Sequence, residues 1–563
     1  MSTTEICWVL LTSLQSAEQK FRYFQLLVRL GLKYIEVAMP CASDLEYNFV
    51  QQLIKMPGAV PDDVMIQAIT PCRKDLIQKT VNSLRGAKRA VLFSYISVSD
   101  NYRETMLRLS EDECIERVYD CVSFARSITK DAVNNRTEWM FGLGCEDAGD
   151  ARPGMLLRIC EAIKAAWEPT KEQPLIFGMA TSVEYYMPNI FADQVEHFLR
   201  KVPEREKILL SLHPHNDRGT AVAAAELSCL AGADMVEGCL FGNGERAGNV
   251  DLVTLALNCY RQGLDPGLNF SDLPKIRSVV EDITKIPVHK RAPYAGDFAF
   301  LALSGTHQDA IRKGFAKRDS NDTDLPGIER TYSNGNGTGN GYMNGINNSQ
   351  GSTDTQEKTW QVPYLPMDPG DLGITSASVI GINSQSGKAG ISWILKNTIG
   401  LSPPDFLARD FSNLVKIKST ELNGELSADE LCAFFLKTYQ DKRIAQDTVL
   451  VMQNSQTNEE RSVDMLLMEG LIVKDFQERL IVKASNNDSA LLLAIAEDRL
   501  SQALGSKITC VEHEAHSLKD PSEAVAYVRS TVDDNDRAGN GVGIGAEMPG
   551  AYISAILSSV LVS

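Results

Sequence analysis

Long apolar runs are missing from this 563-residue chain. No stretch reaches the roughly 20 residues that a helix needs to cross a bilayer. The opening MSTTEICWVLL lacks the basic segment and cleavage site of a secretory leader. The twelve cysteines are scattered, with no CxxC pair among them. A disulfide framework is thereby excluded, and reduced thiols in a cytoplasmic protein are expected, with organelle import of a longer precursor as the alternative. Positive charge is also short: 56 Lys and Arg face 73 Asp and Glu, a net charge of −17. That balance argues against a nucleic-acid or anionic-membrane partner, though a small anionic ligand could still meet a local basic loop. Histidine is scarce, seven in all, so two of them falling together call for an explanation.

What is present is a globular composition, 44% hydrophobic and 23% charged, on a chain too long for one ordinary domain. Short β-branched runs at 6–11, 34–38, 64–68, 89–95, 138–143, 174–179, 208–213 and 235–239 alternate with helical periodicity. AEQKFRYFQLLVRL, closed by Gly31, is the clearest helix; others cover 218–231 and 251–263. Eight strand-then-helix repeats within about 250 residues are the order and length of a (β/α)8 TIM barrel. We therefore expect an α/β fold with a catalytic barrel at 1–265. The competing open doubly wound sheet lacks its GxGxxG turn after the first strand.

Residues 266–316 form a first accessory subdomain, helical from 276 to 316. The segment 317–358 contains SNGNGTGNGYMNGINNSQGSTDTQ, which has too little to bury to offset its ordering entropy and reads as a flexible linker. A second helical subdomain follows at 359–440, with helices at 389–399 and 428–439. The remainder, 441–563, reads as a separate α/β module with strands at 479–482, 506–512 and 542–545 and helices at 489–504, 521–529 and 551–561. It carries no catalytic constellation, so a regulatory or dimerising role is expected.

The sharpest local signal is His213-Pro214-His215-Asn216-Asp217, at the end of the seventh strand. Residues two apart on a strand share a face, and the C-terminal ends of barrel strands open into the active-site mouth. Two imidazoles there suit a transition metal, with an oxygen ligand completing the shell. A pair of core or capping histidines is the plainer alternative. The loop Gly242-Asn243-Gly244-Glu245-Arg246-Ala247-Gly248-Asn249 follows the eighth strand at the same mouth. It could be a phosphate-binding or tight-turn loop; alternatively Asn249 supplies an amide oxygen to the metal while Glu245 and Arg246 fix the loop.

Together these residues carry a resemblance. HPHNDRGTAVAAAELSCLAGADMVEGCLFGNGERAGNVDLVTLALN resembles the signature of 2-isopropylmalate synthase, within the homocitrate synthase and hydroxymethylglutaryl-lyase group of metal-dependent barrels. The likeness extends through IEVAMPCAS, RAPYAGDFAFLALSGTHQDAIRKGF and WQVPYLPMDPGDLG, the last two marking the long, leucine-regulated form. It implies a divalent metal (zinc, magnesium or manganese) that polarises an α-keto acid, and acetyl-CoA or another acyl thioester that attacks it after enolisation. By the same resemblance His213, His215 and Asn249 match metal ligands, and Glu146 matches the active-site glutamate. His307 and Tyr364 match residues that reach into a neighbouring subunit's barrel, which implies a domain-swapped homodimer. Phe93, Tyr95, Gly144, Ser182 and Glu245 are the candidate substrate-binding residues.

The departures cluster at the substrate. Thr12 and Ser13 stand where the family has Arg-Asp, in a shortened loop, which leaves out the fourth metal ligand and the cation facing the keto acid. Gly144-Cys145-Glu146 replaces Ser-Pro-Glu, Ser182 replaces the hydroxyl that holds the keto-acid carboxylate, and Phe93 replaces a histidine. Four functions are compatible with this pattern: a repurposed relative acting on another carbonyl or thioester in a specialised pathway, by condensation, cleavage or cyclisation; an authentic isopropylmalate synthase; a silent paralogue that tunes an active synthase; or a thioester hydrolase. The first is preferred, because the frame is kept while the substrate contacts change.

In the C-terminal module, Ser485-Asn486-Asn487-Asp488-Ser489 replaces a Gly-Asn-Gly-Pro turn. Glycines there would allow positive φ and close backbone approach to an effector. Leucine is therefore expected to bind weakly or not at all, and micromolar binding in a calorimetric titration would overturn that expectation.

Overall fold

The computed structural model describes residues 5–7, 16–322, 360, 362–375, 379–383, 386–422, 424–440, 449–453, 461–466, 480–484, parts of 493–501, 505–518, 523–532, 538–545 and 548–561. Thr12, Ser13, the segment 323–359 and the turn at 485–489 lie outside these described residues.

Local sequence cues act as expected in the first helix. α1 (Ala17–Leu30) begins where the Ser16 hydroxyl accepts the Gln19 N–H, and it ends on Gly31 at φ 105°. A side chain at Gly31 would also come within 2.7 Å of the Gly267 carbonyl, so two constraints select glycine there. Eight strands alternate with eight helices: β1 (Glu5–Cys7), α1, β2 (Tyr34–Ala38), α2 (Asp44–Lys55), β3 (Met65–Pro71), α3 (Lys74–Leu84), β4 (Arg89–Ser97), α4 (Glu111–Ile128), β5 (Glu138–Glu146), α5 (Pro153–Trp167), β6 (Leu175–Thr181), α6 (Pro188–Lys201), β7 (Ile208–Pro214), α7 (Ala221–Leu230), β8 (Met235–Glu237) and α8 (Leu252–Arg261). The strands form one parallel sheet in the order β1-β8-β7-β6-β5-β4-β3-β2. Pairing of the last strand with the first wraps the sheet, as the (β/α)8 barrel requires.

β3 to β7 run one to three residues further at their C-terminal ends than apolar patterning suggests. The ladder continues through Thr70↔Ser94, Ser97↔Glu146 and Thr181↔Pro214. Hydrogen bonding of the main chain does not need apolar side chains, so the strands extend into a polar mouth that a hydrophobicity reading truncates.

After the barrel come α9 (Leu273–Thr284) and α10 (Gly305–Asp322). The continuous helix expected over 276–316 is interrupted: Lys285 turns left-handed at φ 59°, Pro287 and Pro293 cannot donate to a helical ladder, and Gly296 approaches the Lys290 carbonyl closely. α11 (Lys388–Ile399), α12 (Asp405–Leu422), α13 (Ala428–Tyr439) and α14 (Met548–Leu561) complete the described long helices. The chain folds as two compact units, one within Met1–Ala299 and Asp371–Ile374, the other within Phe300–Tyr332, Thr355–Gly370 and Thr375–Ser563. No described helix is long and apolar enough to cross a membrane.

The second unit contains two three-stranded antiparallel sheets, β9 (Val449–Gln453), β10 (Arg461–Leu466) and β11 (Leu480–Ala484), and β12 (Ile508–Ser517), β13 (Ala524–Val532) and β14 (Ala538–Gly545). The helix expected at 521–529 is instead β13, the central strand of the second sheet. Its residues alternate between two cores. Val525 and Tyr527 join Phe411, Val415 and Phe435 of α12 and α13, while Ala524, Ala526 and Val528 join Ala551, Ala555 and Ile556 of α14. A strand apolar on both faces carries no clear period of two, which explains the helical reading.

α14 lies on β14 at backbone distance. A Cβ on Gly543 would stand 2.0 Å from the Ala551 carbonyl oxygen, and one on Gly541 2.1 Å from that of Ala555. Gly543→Ala is therefore expected to destabilise this layer by about 1–3 kcal/mol through overpacking. Gly154→Ala, where a Cβ meets nothing within 4 Å, is the control. Equal melting transitions for the two variants would refute the close approach.

Candidate functional site

β7 and β8 together build the imidazole side of the barrel mouth. Ser211 and His213 share a face of β7, and Glu237 closes β8 beside them; Ser211 and Leu212 pair with Met235 and Val236. The Glu237 carboxylate is buried, 4% exposed. It accepts the Ser211 hydroxyl at 2.7 Å and faces His213 Nδ1 at 3.1 Å. The other nitrogen, His213 Nε2, lies 3.1 Å from the Asn249 amide. His215 is held by its main chain, its N–H donating to the Thr181 carbonyl and its backbone bridging Asn249.

The glycine loop exists to bring Asn249 in. A Cβ on Gly244 would meet the Asn249 amide oxygen at 2.1 Å, and one on Gly248 would meet the Gly242 carbonyl at 2.0 Å, with Gly248 itself at φ 93°. Arg246 also sits at positive φ and reaches across to Asp217 with two hydrogen bonds of 2.9 and 3.1 Å and to the Ser182 carbonyl. That bidentate pair pulls the Asp217 carboxyl down to about 2. Glu245 is exposed, and its main-chain carbonyl accepts the Gly248 N–H.

These residues can be asked whether they fit a divalent metal. His213 Nε2 and the Asn249 amide nitrogen are in contact, which puts the amide group beside the ring, and the buried His215 Nδ1 has no hydrogen-bond partner among the described residues. Burial, then the neighbouring His213, holds His215 down to about 4, so its ring is neutral and able to ligate. Two imidazoles and an amide are a fitting, if short, donor set. No group of three His, Cys, Asp or Glu placed to hold a metal ion occurs among the described residues, so these three donors include no carboxylate.

The opposite side of the mouth comes from β4, β5 and β6. Phe93 points inward, 4% exposed, onto a recess with no side chains of its own. Cβ atoms on Gly142, Gly144 and Gly178 would meet its ring at 2.4, 2.8 and 3.2 Å. Gly144 is thus space for Phe93. Two residues along β4, Tyr95 is half-buried, and burial and then the nearby Glu146 raise its phenol above the ordinary range. Two residues further, the Ser97 hydroxyl donates to Glu146.

Asp147 follows in a left-handed conformation at φ 59°. Its carboxylate accepts the Ser99 hydroxyl at 2.7 Å, its N–H donates to the Ser182 hydroxyl at 2.8 Å, and burial raises its pKa. Ser182 therefore braces the turn that presents Glu146. Sequence reasoning missed Ser97 and Glu237. The signals were available: Ser97 continues the Phe93–Tyr95 alternation, and Glu237 is the lone charge in the apolar run MVEGCLF.

His307 and Tyr364 belong to the second unit. Their rings stack at 4.0 Å between centroids, 23° from parallel. His307 lies in the first turn of α10, beside Gln308, whose amide donates to the carbonyls of Ala302, Leu303 and Gly381. Tyr364 is 63% exposed and sits at φ 64°. An exposed aromatic pair held by a strained backbone is what a functional site looks like more often than a core.

The comparisons with known proteins place this barrel among acyl-CoA-utilising condensing enzymes. A family model described as HMGL-like matches residues 11–280, and one described as Alpha-isopropylmalate synthase, post-catalytic domain-like, matches 297–396. The isopropyl malate synthase gloH of Glarea lozoyensis is 46% identical, over 94% of this chain and 82% of its own. The isopropyl malate synthase htyA of Aspergillus rugulosus is 45% identical over 96% and 85%, and the 2-isopropylmalate synthase of Schizosaccharomyces pombe 38% over 97% and 88%. The chain belongs to the isopropylmalate synthase family, whose members use a divalent metal and acetyl-CoA.

The strain at Tyr364 has a measurable consequence. Asn accepts the left-handed region and Ala does not, and both remove the ring. Tyr364→Asn is expected to be more stable than Tyr364→Ala by about 1 kcal/mol. Equal denaturation midpoints would count against the strain.

Proposed function

We propose that this chain catalyses carbon–carbon chemistry between an acyl thioester and a carbonyl substrate other than the family's usual keto acid, in a specialised pathway. The observation that carries the reading is Phe93. Its ring occupies the recess bounded by Gly142, Gly144 and Gly178, at the position where the resemblance expects a polar histidine. An apolar ring cannot hydrogen-bond a keto-acid head, so the reacting group must be recognised otherwise. Thr12 and Ser13, in place of Arg-Asp, point the same way.

In this reading His213, His215 and Asn249 hold the divalent metal, which polarises the carbonyl when bound. Glu146, oriented by Ser97, takes the proton from the carbon next to the thioester. Tyr95 and Glu245 flank the substrate, and Ser182 acts through the turn at Asp147. The His307–Tyr364 pair supplies protons to a neighbouring subunit's barrel in a domain-swapped dimer, which the exposure of both rings supports. An authentic isopropylmalate synthase is the second reading, favoured by identities of 38–46% to proteins of that name.

One assay separates the two. Purified protein is given acetyl-CoA with a panel of α-keto acids while free thiol is followed. Losing one preorganised oxyanion donor costs about 10²–10³ in turnover, so 2-oxoisovalerate should react very slowly or not at all. Turnover with it near or above about one per second would establish the second reading. With the substrate that is accepted, Glu146→Gln should abolish activity; an unimpaired variant would remove Glu146 from the mechanism.

A further inference from the structure

A carboxylate 4% exposed inside a barrel is expensive unless its partners compensate for lost water. Glu237 has two such partners, on opposite oxygens: the Ser211 hydroxyl at 2.7 Å on Oε1 and His213 Nδ1 at 3.1 Å on Oε2. A serine hydroxyl that donates to one oxygen leaves the other to demand a proton donor. The ring nitrogen facing it must therefore carry hydrogen. The second ring nitrogen, Nε2, is then an acceptor, and the Asn249 amide nitrogen stands 3.1 Å from it as its donor. Glu237 also stands on the strand paired with β1, where Cys7 is its neighbour in register.

We propose that Glu237 is a positioning residue that locks His213 with its proton on Nδ1, so that Nε2 is presented as a ready metal ligand beside Asn249. The proposal rests on the metal-binding reading for its purpose, but not for its geometry. Ser211 orients the carboxylate, the carboxylate orients the imidazole, and the charge of Glu237 makes the imidazole a stronger donor. Outer carboxylates of this kind typically change metal affinity by about 10–100-fold.

The test has two arms, both on the full-length protein without substrate. In the first, 15N-histidine-labelled, metal-free protein is examined by long-range 15N–1H correlation near pH 8, with His213→Gln for assignment. The wild type should show His213 with protonated Nδ1 and pyridine-type Nε2, and Glu237→Leu should give a mixed or inverted tautomer. A wild-type proton on Nε2, or an unchanged tautomer in Glu237→Leu, would overturn the proposal. In the second arm Mn2+ binding is titrated, and Glu237→Leu should lose about 10–100-fold in affinity. Should that variant fail to fold, Glu237→Gln preserves the volume and one acceptor but not the charge, and about a tenfold loss is expected; undiminished affinity would overturn the role. A wild type that binds no Mn2+ yet shows the Nδ1–H tautomer would sink the metal reading and leave the positioning of His213 standing.

Discussion

The site depends on one steric constraint: the inside of an eight-stranded barrel has room for few large side chains at each level. Phe93 takes that room, and Gly142, Gly144 and Gly178 yield it. The arrangement propagates because strand residues alternate. With Phe93 pointing inward, Tyr95 and Ser97 must point inward too, each one step nearer the mouth. Ser97 thereby meets Glu146, its partner in register on β5. One aromatic ring against three absent side chains thus governs how the acid–base side of the mouth is assembled.

The imidazole side is organised by hydrogen bonding rather than by volume. Ser211, Glu237, His213 and Asn249 form a continuous row, each within 3.1 Å of the next. Across the mouth, Ser99, Asp147 and Ser182 form a second short row behind Glu146. Buried polar groups of this kind are costly when incompletely paired, and two of the buried atoms without a partner among the described residues, His215 Nδ1 and one oxygen of Asp147, belong to this mouth.

In that second unit the sheet β12–β13–β14 has a core on each face. Glycines at 541 and 543 let α14 settle directly on the strand. Polar ties join the sheet to the helices on its other face: Tyr527 accepts the Ser402 N–H at 2.9 Å, and Asp410 accepts from both Tyr439 and Asn540. These contacts anchor the sheet to the helical region that precedes it in the chain.

Much of this was legible in the residues alone. Alternating strand and helix patterns, with Gly31 closing the first helix, determine the barrel, because helix stops and periodicity are local properties. His213, His215 and Asn249 could be picked out because spacing on a strand and glycines in a loop are also local. The partners of those residues were not legible. Glu237 is 24 positions from His213, and Ser97 is 49 from Glu146; only parallel pairing of β7 with β8 and of β4 with β5 brings them together. β13 was misread for a related reason: a strand buried on both faces loses its period, and only the cores on either side reveal it. The sequence by itself determined which elements form and which side chains are chemically able. Tertiary structure decided which of them meet, because burial in a shared interior turns distant, ordinary residues into a single polar row.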